Sequence, residues 1–251
     1  MNDDLKVELV VATASKIHAD WCKGEYEAYY KRAKASYDAS ESKNPGEALE
    51  QACYKGDTKR NEVELDTSFL VGHETMASAM FSSFENFMAL VNAGAVDVKR
   101  FASRNLTPEE IEKAGPNYKD GKENILRDFR VLSEESKREN IQAAIGAVKV
   151  YEELCKAGID MNTMLTDENL RHDIGVAIHT DWMKRNEGRA DESLMVSFDK
   201  LDEWTKSQDL VIFDALVGIA SRDEKYRVPQ EAGYTLPDYA NEEKAYLGAS
   251  L

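Results

Sequence analysis

The stretch IHADWCK spans residues 17–23, and IHTDWMK spans residues 178–184. Ile, His, Asp, Trp and Lys recur in register, 161 positions apart. Each heptad lies inside a long proline-free run. On a helix, residues three apart share a face, so each His and its Trp project side by side. A second pair of matches accompanies the first. Phe129-x-x-Leu132-Ser133-x-x-x-Lys137 parallels Phe198-x-x-Leu201-Asp202-x-x-x-Lys206. In both, a Phe and a Leu precede a capping residue and a helical run, the arrangement of a hydrophobic staple. The chain therefore reads as a unit written twice.

Outward from these motifs, most of the chain is helical. Residues 3–37 form one run, with Leu5, Leu9, Ala12, Ile17, Trp21 and Tyr29 on a drifting apolar stripe and Asp3 or Asp4 as cap. Further helices are expected over Glu47–Tyr54, Thr67–Asn92 (stopped by Gly94), the NLTPEEIEKAG segment (105–115), Ser133–Lys156 (ended by Gly158), a run to Asn186 under a Thr166 cap and Glu203–Ala220 under an Asp202 cap. NEVELD (61–66) and SLMVSF (193–198) read as short strands. The tail from Ser221 reads as irregular and laid on a surface. The expected architecture is mainly α, a helical tandem-repeat domain with an approximate internal two-fold and minor short β-strands. Residues 1–160 form the first unit, with a helical insertion at about 40–120, and residues 161–251 form the second with a C-terminal tail.

Composition narrows the function classes. The formal charge is −15 over 251 residues, which opposes general affinity for nucleic acid or an anionic membrane, because both need a surplus of Lys and Arg. Three scattered cysteines without C-x-x-C spacing imply a reducing compartment. The N-terminus lacks a basic start and long apolar run, and no stretch of eighteen apolar residues occurs. A cytoplasmic protein is expected, in a host cytoplasm if a phage encodes it. No P-loop, dinucleotide fingerprint or nucleophile elbow is written. The Arg171-His172-Asp173 doublet lacks the further His and Asp of a metal-dependent phosphohydrolase, and Asp20 and Asp181 do not fall at ligand spacing from their histidines. No metal, no cofactor and no catalytic residue are assigned.

The paired motifs resemble the ryanodine-receptor repeat domain. That family carries an H-x-x-W near the end of its first helix, then a hydrophobic approach, an acidic Lys-containing turn and a second long helix. His179-Thr180-Asp181-Trp182 with Phe198-x-x-Leu201-Asp202-Glu203-Trp204-Thr205-Lys206 carries the closer match, and His18-Ala19-Asp20-Trp21 with Phe129-x-x-Leu132-Ser133 the looser one. Where the family has an aromatic Gly-Trp-x-Tyr/Phe-Gly run, this chain has Lys184–Arg189. The resemblance implies a small helical domain, often in tandem, without enzymatic activity. It also implies a bacterial or phage type that recognises nucleotide-derived ligands, including immune second messengers.

The candidate ligand-binding residues are His18, Trp21, Tyr29, His179, Trp182, Lys184, Arg185 and Arg189. Indole and phenol rings would stack on a base, and the cations would take phosphate by charge-assisted hydrogen bonds. The competing reading places each Trp in the core and gives each His one buried hydrogen bond, leaving the cations as solvated helix ends. The expected partner is a small anionic ligand such as a nucleotide derivative, with a homo-oligomer as a further expectation. The alternative function is a protein–protein interaction or structural module.

Overall fold

The computed structural model describes residues 1–41, 44–54, 61–66, 79–102, 108–109, 112, 118–119 and 122–249. The fold is mainly helical. Helix α1 (Asp3–Ala39) is followed by α2 (Pro45–Tyr54), strand β1 (Asn61–Asp66), α3 (Phe84–Asn92) and β2 (Asp97–Ala102). Two-residue strands β3 (Tyr118–Lys119) and β4 (Lys122–Glu123) precede α4 (Glu134–Lys156), α5 (Met161–Thr166), α6 (Glu168–Asn186), α7 (Glu203–Ala220) and α8 (Tyr239–Ala249). The expected residues 67–78, and nearly all of the expected helix at 105–115, lie outside the described residues.

The chain forms two compact units. Unit one joins Met1–His18 to Lys137–Leu251, and unit two is the continuous segment Ala19–Ser136. The insertion expected at about 40–120 falls within unit two. The boundary expected at 160/161 falls within unit one, between α4 and α5.

Unit one is a helical assembly around Leu9, Tyr151, Leu154, Ile174, Phe213, Leu216 and Val217, all essentially without solvent contact. Its helices start where short polar side chains take the first free N–H groups. Asp167 accepts from Leu170 N at the head of α6, and Asp202 accepts from Thr205 N at the head of α7. Thr166, expected to cap α6, instead closes α5, one residue too early to accept from Leu170. Asn2, not Asp3 or Asp4, caps α1 through Leu5 N. Gly158 ends the turn after α4 with φ +80°, a conformation that excludes a Cβ.

Two further expectations for unit one fail. SLMVSF is not a strand: Glu192–Leu194 and Phe198–Lys200 are single 3-10 turns, opened by Asp191 and Ser197. The Asp191 carboxylate accepts from Ser193 N and so offers the backbone a turn in place of a ladder. The tail is irregular as far as Asp238 apart from a 3-10 turn at Glu224–Tyr226, after which α8 packs along α6. Its anchor is polar: Glu243, 7% exposed, accepts from Phe198 N at 2.7 Å.

Unit two packs Tyr29, Tyr30, Ala33, Leu49, Met80, Phe81, Phe87, Val96 and Val98 together. β1 pairs antiparallel with β2, Asn61 opposite Ala102 and Asp66 opposite Asp97. β1 is the expected NEVELD strand. Glu123, 2% exposed, accepts from Ser133 N at 2.8 Å and from the hydroxyls of Ser133 and Ser136. That carboxylate meets the free amides at the start of α4, where the helix dipole favours negative charge.

Candidate functional site

The two sequence matches adopt the same local conformations. Ile17 and His18 are buried at 8% and 4%, and Ile178 and His179 at 3% and 2%. Phe129 and Phe198 each open a single 3-10 turn, and Leu132 and Leu201 close it with nearly equal dihedrals (φ −70°, ψ 155° and φ −70°, ψ 152°). Ser133 and Asp202 then take the amide three residues on.

His179 is committed inside unit one. Its Nε2–H donates to the Val196 carbonyl at 3.0 Å, and Nδ1 lies 3.2 Å from Oδ2 of the largely buried Asp209. A carbonyl only accepts, so Nε2 must carry a proton. The imidazole stacks on Trp182 (centroids 5.7 Å, planes 14° apart) and leans on the Phe198 ring at 6.2 Å. Phe198 in turn reaches the helix backbone because Gly175 lacks a side chain there. Nε2 is committed to a carbonyl and Nδ1 faces a carboxylate oxygen on a ring 2% exposed, so the ring orients α6 against the 196–198 turn and α7 rather than offering itself to a ligand. His18 is used in the same spirit: Asn140 Nδ2 donates to its Nδ1 at 3.4 Å.

The remaining candidates do not converge. In unit two, Tyr29 is buried and its hydroxyl donates to the Leu49 carbonyl at 2.8 Å. Trp21 is 36% exposed, with the Arg100 guanidinium 5.4 Å from its centroid. In unit one, Arg185 pairs with Asp181 at 2.8 Å and with Glu139 at 3.7 Å. Arg189 donates to the Arg185 carbonyl and closes the end of its own helix. Trp182 is half-buried. Among the candidate cations Lys184 and Arg189 make no ion pair with a described residue, and Lys184 has no side-chain hydrogen bond with one either.

Lys184 lies at a feature that sequence reasoning missed. A cavity of about 40 Å³ is lined by α4, α6 and the start of α8. Lys149 joins Lys184 at its rim, also exposed and also without an ion pair among the described residues. Thr180 is among the lining residues, and its hydroxyl is buried with no hydrogen-bond partner among the described residues. Glu153 accepts from the Tyr239 hydroxyl at 2.7 Å, and burial, together with this hydrogen bond, pushes that phenol far above its ordinary value. Asp181 reaches the cavity over Gly146, where a Cβ would stand 2.7 Å from its Oδ2. Glu242 completes the charged rim. The sequence signals were Asp181 and Lys184 of the second heptad; Thr180 fills a variable position of it, and Lys149 lies in no motif.

A second charged pair braces α6 further up. His172 Nε2 lies 2.7 Å from Asp199 Oδ1, and this hydrogen bond raises the imidazole above its ordinary value and lowers the carboxyl. Among the described residues, no group of three His, Cys, Asp or Glu side chains is placed to hold a metal ion. No helix among them is long and apolar enough to cross a membrane. No family model, curated protein or solved structure matches the chain.

Proposed function

We propose that this chain is a non-enzymatic binding protein for a small anionic, nucleotide-derived ligand, received by unit one at the rim formed by Lys149 and Lys184. One observation carries the reading. In a chain of formal charge −15, these two ammonium groups pair with no described carboxylate yet line one cavity. Exposed cations without an ion pair among the described residues are available for charge-assisted contacts at no cost in broken ion pairs. The cavity is far too small to enclose a nucleoside, so most of any such ligand stays outside it. His179, His18 and Tyr29 serve as scaffold in this reading, and the contact residues are lysines.

The reading keeps the family resemblance. The matched conformations at Phe129–Ser133 and Phe198–Asp202 support a duplicated unit of the ryanodine-receptor repeat kind, arranged as a tandem repeat with an approximate two-fold. A bacterial or phage protein in the cytoplasm, sequestering or sensing an immune signal, would use such a site. A thermal-shift screen of the full chain against nucleotides and cyclic nucleotide messengers tests it. A ligand that binds only the native state must raise the melting temperature by mass action. The expected result is a rise with one anionic class that weakens with added salt and disappears in the Lys149→Ala/Lys184→Ala double variant. No rise with any member of the panel refutes it.

A protein–protein interaction module is the second reading, favoured by one surface of α7. Trp204 is 71% exposed and Val211, two turns on along the same face, is 44% exposed. An indole so open to water is the usual anchor of an interface. Sedimentation of the unliganded chain separates the readings: a stable homo-oligomer that dissociates on Trp204→Ser, with unchanged folding, supports the module.

A further inference from the structure

Unit two holds a larger cavity of its own. Its volume is about 570 Å³, within the ordinary range for a small-molecule site. Tyr26 of α1, Val91 of α3, Val96, Val98 of β2, Leu126 and Val131 give it apolar walls. Val96, Val98 and Leu126 are buried, while Val131 is 54% exposed. The charged lining residues cancel, Asp97 and Asp128 against Lys99 and Arg127. Asp97 is held by Lys99 at 3.1 Å, and Asp128 by Arg130 at 2.8 Å. Such a lining gives neither an anion nor a cation a net attraction.

Among the lining residues one polar side chain is buried. Asn124 is 4% exposed, and its Oδ1 accepts from Arg100 N and from Leu126 N, each at 3.1 Å. Backbone N–H groups only donate, so these two bonds settle which end of the carboxamide is oxygen and fix its plane. The Nδ2 end is left over. It makes no hydrogen bond with a described residue. Nor is it sealed: the buried side-chain atoms closed off without a partner belong to Thr13, Thr180 and Asp209. The open space that Asn124 borders is this cavity. The Tyr26 hydroxyl is no substitute donor, because it gives its proton to the Leu126 carbonyl at 3.3 Å, and burial pushes its value up to about 12. A fixed donor set among apolar walls is how small-molecule sites orient a ligand.

We infer that unit two binds a small, uncharged, largely apolar molecule whose carbonyl oxygen accepts from Asn124 Nδ2 while its apolar body lies against Val91, Val96, Val98 and Leu126. This site shares no residue with the anion site of unit one. A carbonyl is the fitting group, because a partner that must donate finds the Asn124 oxygen already taken by two amides. Burial of the apolar body supplies the affinity, and the single hydrogen bond supplies the selectivity.

The test is a titration of the isotopically labelled full chain, followed by heteronuclear NMR, with acetophenone, ethylbenzene and benzoate. The first two have nearly the same shape and differ by the carbonyl. Acetophenone is expected to bind about fivefold more tightly than ethylbenzene, the worth of one net neutral hydrogen bond. It should also move the Asn124 side-chain N–H signals downfield, as a new acceptor does. Benzoate should bind no more tightly than acetophenone. Asn124→Asp keeps an acceptor for both amides and replaces the donor by an oxygen, so the preference for the ketone should vanish while ethylbenzene still binds. Val131→Ser should weaken acetophenone and ethylbenzene alike and keep their ratio. Each variant is first shown to unfold cooperatively, and the parent's signals decide the matter should Asn124→Asp not fold. Equal affinity of the parent for ketone and hydrocarbon, or Asn124 signals that stay in place on saturation, overturns the inference. So does tighter binding of benzoate, and so does no binding of any of the three.

Discussion

Replacing Gly175 by alanine sets two effects of opposite sign against each other, and the structure gives both magnitudes. Gly175 lies within α6, where alanine is favoured over glycine by about 1 kcal/mol on intrinsic propensity. Its added Cβ, however, would stand 2.3 Å from Phe198 Cζ and 2.8 Å from Cε1 and Cε2. Carbon atoms rest at about 3.5–4.0 Å, so the ring would have to retreat by more than an ångström. Phe198 has little room to do so. It is 3% exposed, its amide is held by Glu243, and its ring meets His172 edge-on at 5.7 Å. Overpacking of this kind costs about 1–3 kcal/mol, and a clash on three ring atoms belongs at the upper end. The net expectation is a loss of about 1–2 kcal/mol in urea unfolding followed by circular dichroism. Phe198→Leu, which removes Cζ, should lose stability alone yet suppress the cost of Gly175→Ala when combined, giving a coupling of about 1 kcal/mol. A Gly175→Ala variant as stable as the parent, or more stable, would show that propensity wins and that the close approach is not a constraint.

Three further substitutions probe the same helix. His179→Ala strips the donor from the Val196 carbonyl, and leaving that acceptor without its partner should cost about 1–3 kcal/mol in the same assay; an unchanged stability would return His179 to the ligand candidates. Tyr239→Phe leaves Glu153 without its donor and should cost about 1–2 kcal/mol, with amide exchange in α8 accelerating first; unchanged exchange there would contradict an anchoring role. His172 has a raised folded-state value, so its contribution is fully present below the ordinary imidazole range and fades as pH climbs through the raised value, above about 6.5. Because the ring is 45% exposed, solvent screening limits the effect to roughly half a kcal/mol or less. Urea midpoints should fall slightly from pH 6 to pH 8 in the parent and not in His172→Gln; an equal fall in both would assign the drift to other groups.

What the sequence discloses divides along the range of the forces involved. The helices α4, α6 and α7 are legible because their signals are local: Ser133 and Asp202 act within one turn, and Gly158 sets its own φ. Helix α8 is not legible, because it is held by the Glu243 carboxylate meeting an amide 45 residues away rather than by an apolar stripe. The strand β2 escaped notice because Lys99 and Arg100 break the alternation around Val98, although Val98 and Phe101 are both buried. SLMVSF misled in the opposite sense: its apolar run suited a strand, but Asp191 and Ser193 bonded locally and turned the backbone instead. For the site, spacing correctly put His179 and Trp182 on one face. Spacing cannot reveal that Asp209, thirty residues on, approaches the inner nitrogen, nor that Lys149 and Lys184 share one cavity.

The connectivity of unit one has a consequence for how the protein is made. Its first eighteen residues leave the ribosome long before their packing partners: Leu9 is sealed against a core that includes Tyr151, Ile174, Phe213 and Leu216. At roughly 5–20 residues per second, about 10–40 s separate the emergence of Leu9 from that of Phe213. Unit two, continuous in the chain, can complete its core during that interval. Once it does, a detour of more than a hundred residues no longer behaves as a flexible loop, and the entropy of bringing Met1–His18 to Lys137 and beyond falls accordingly. A slip in unit two would thus be felt as a failure of unit one to close. Until it closes, the amino-terminal segment is a natural client for a holding chaperone.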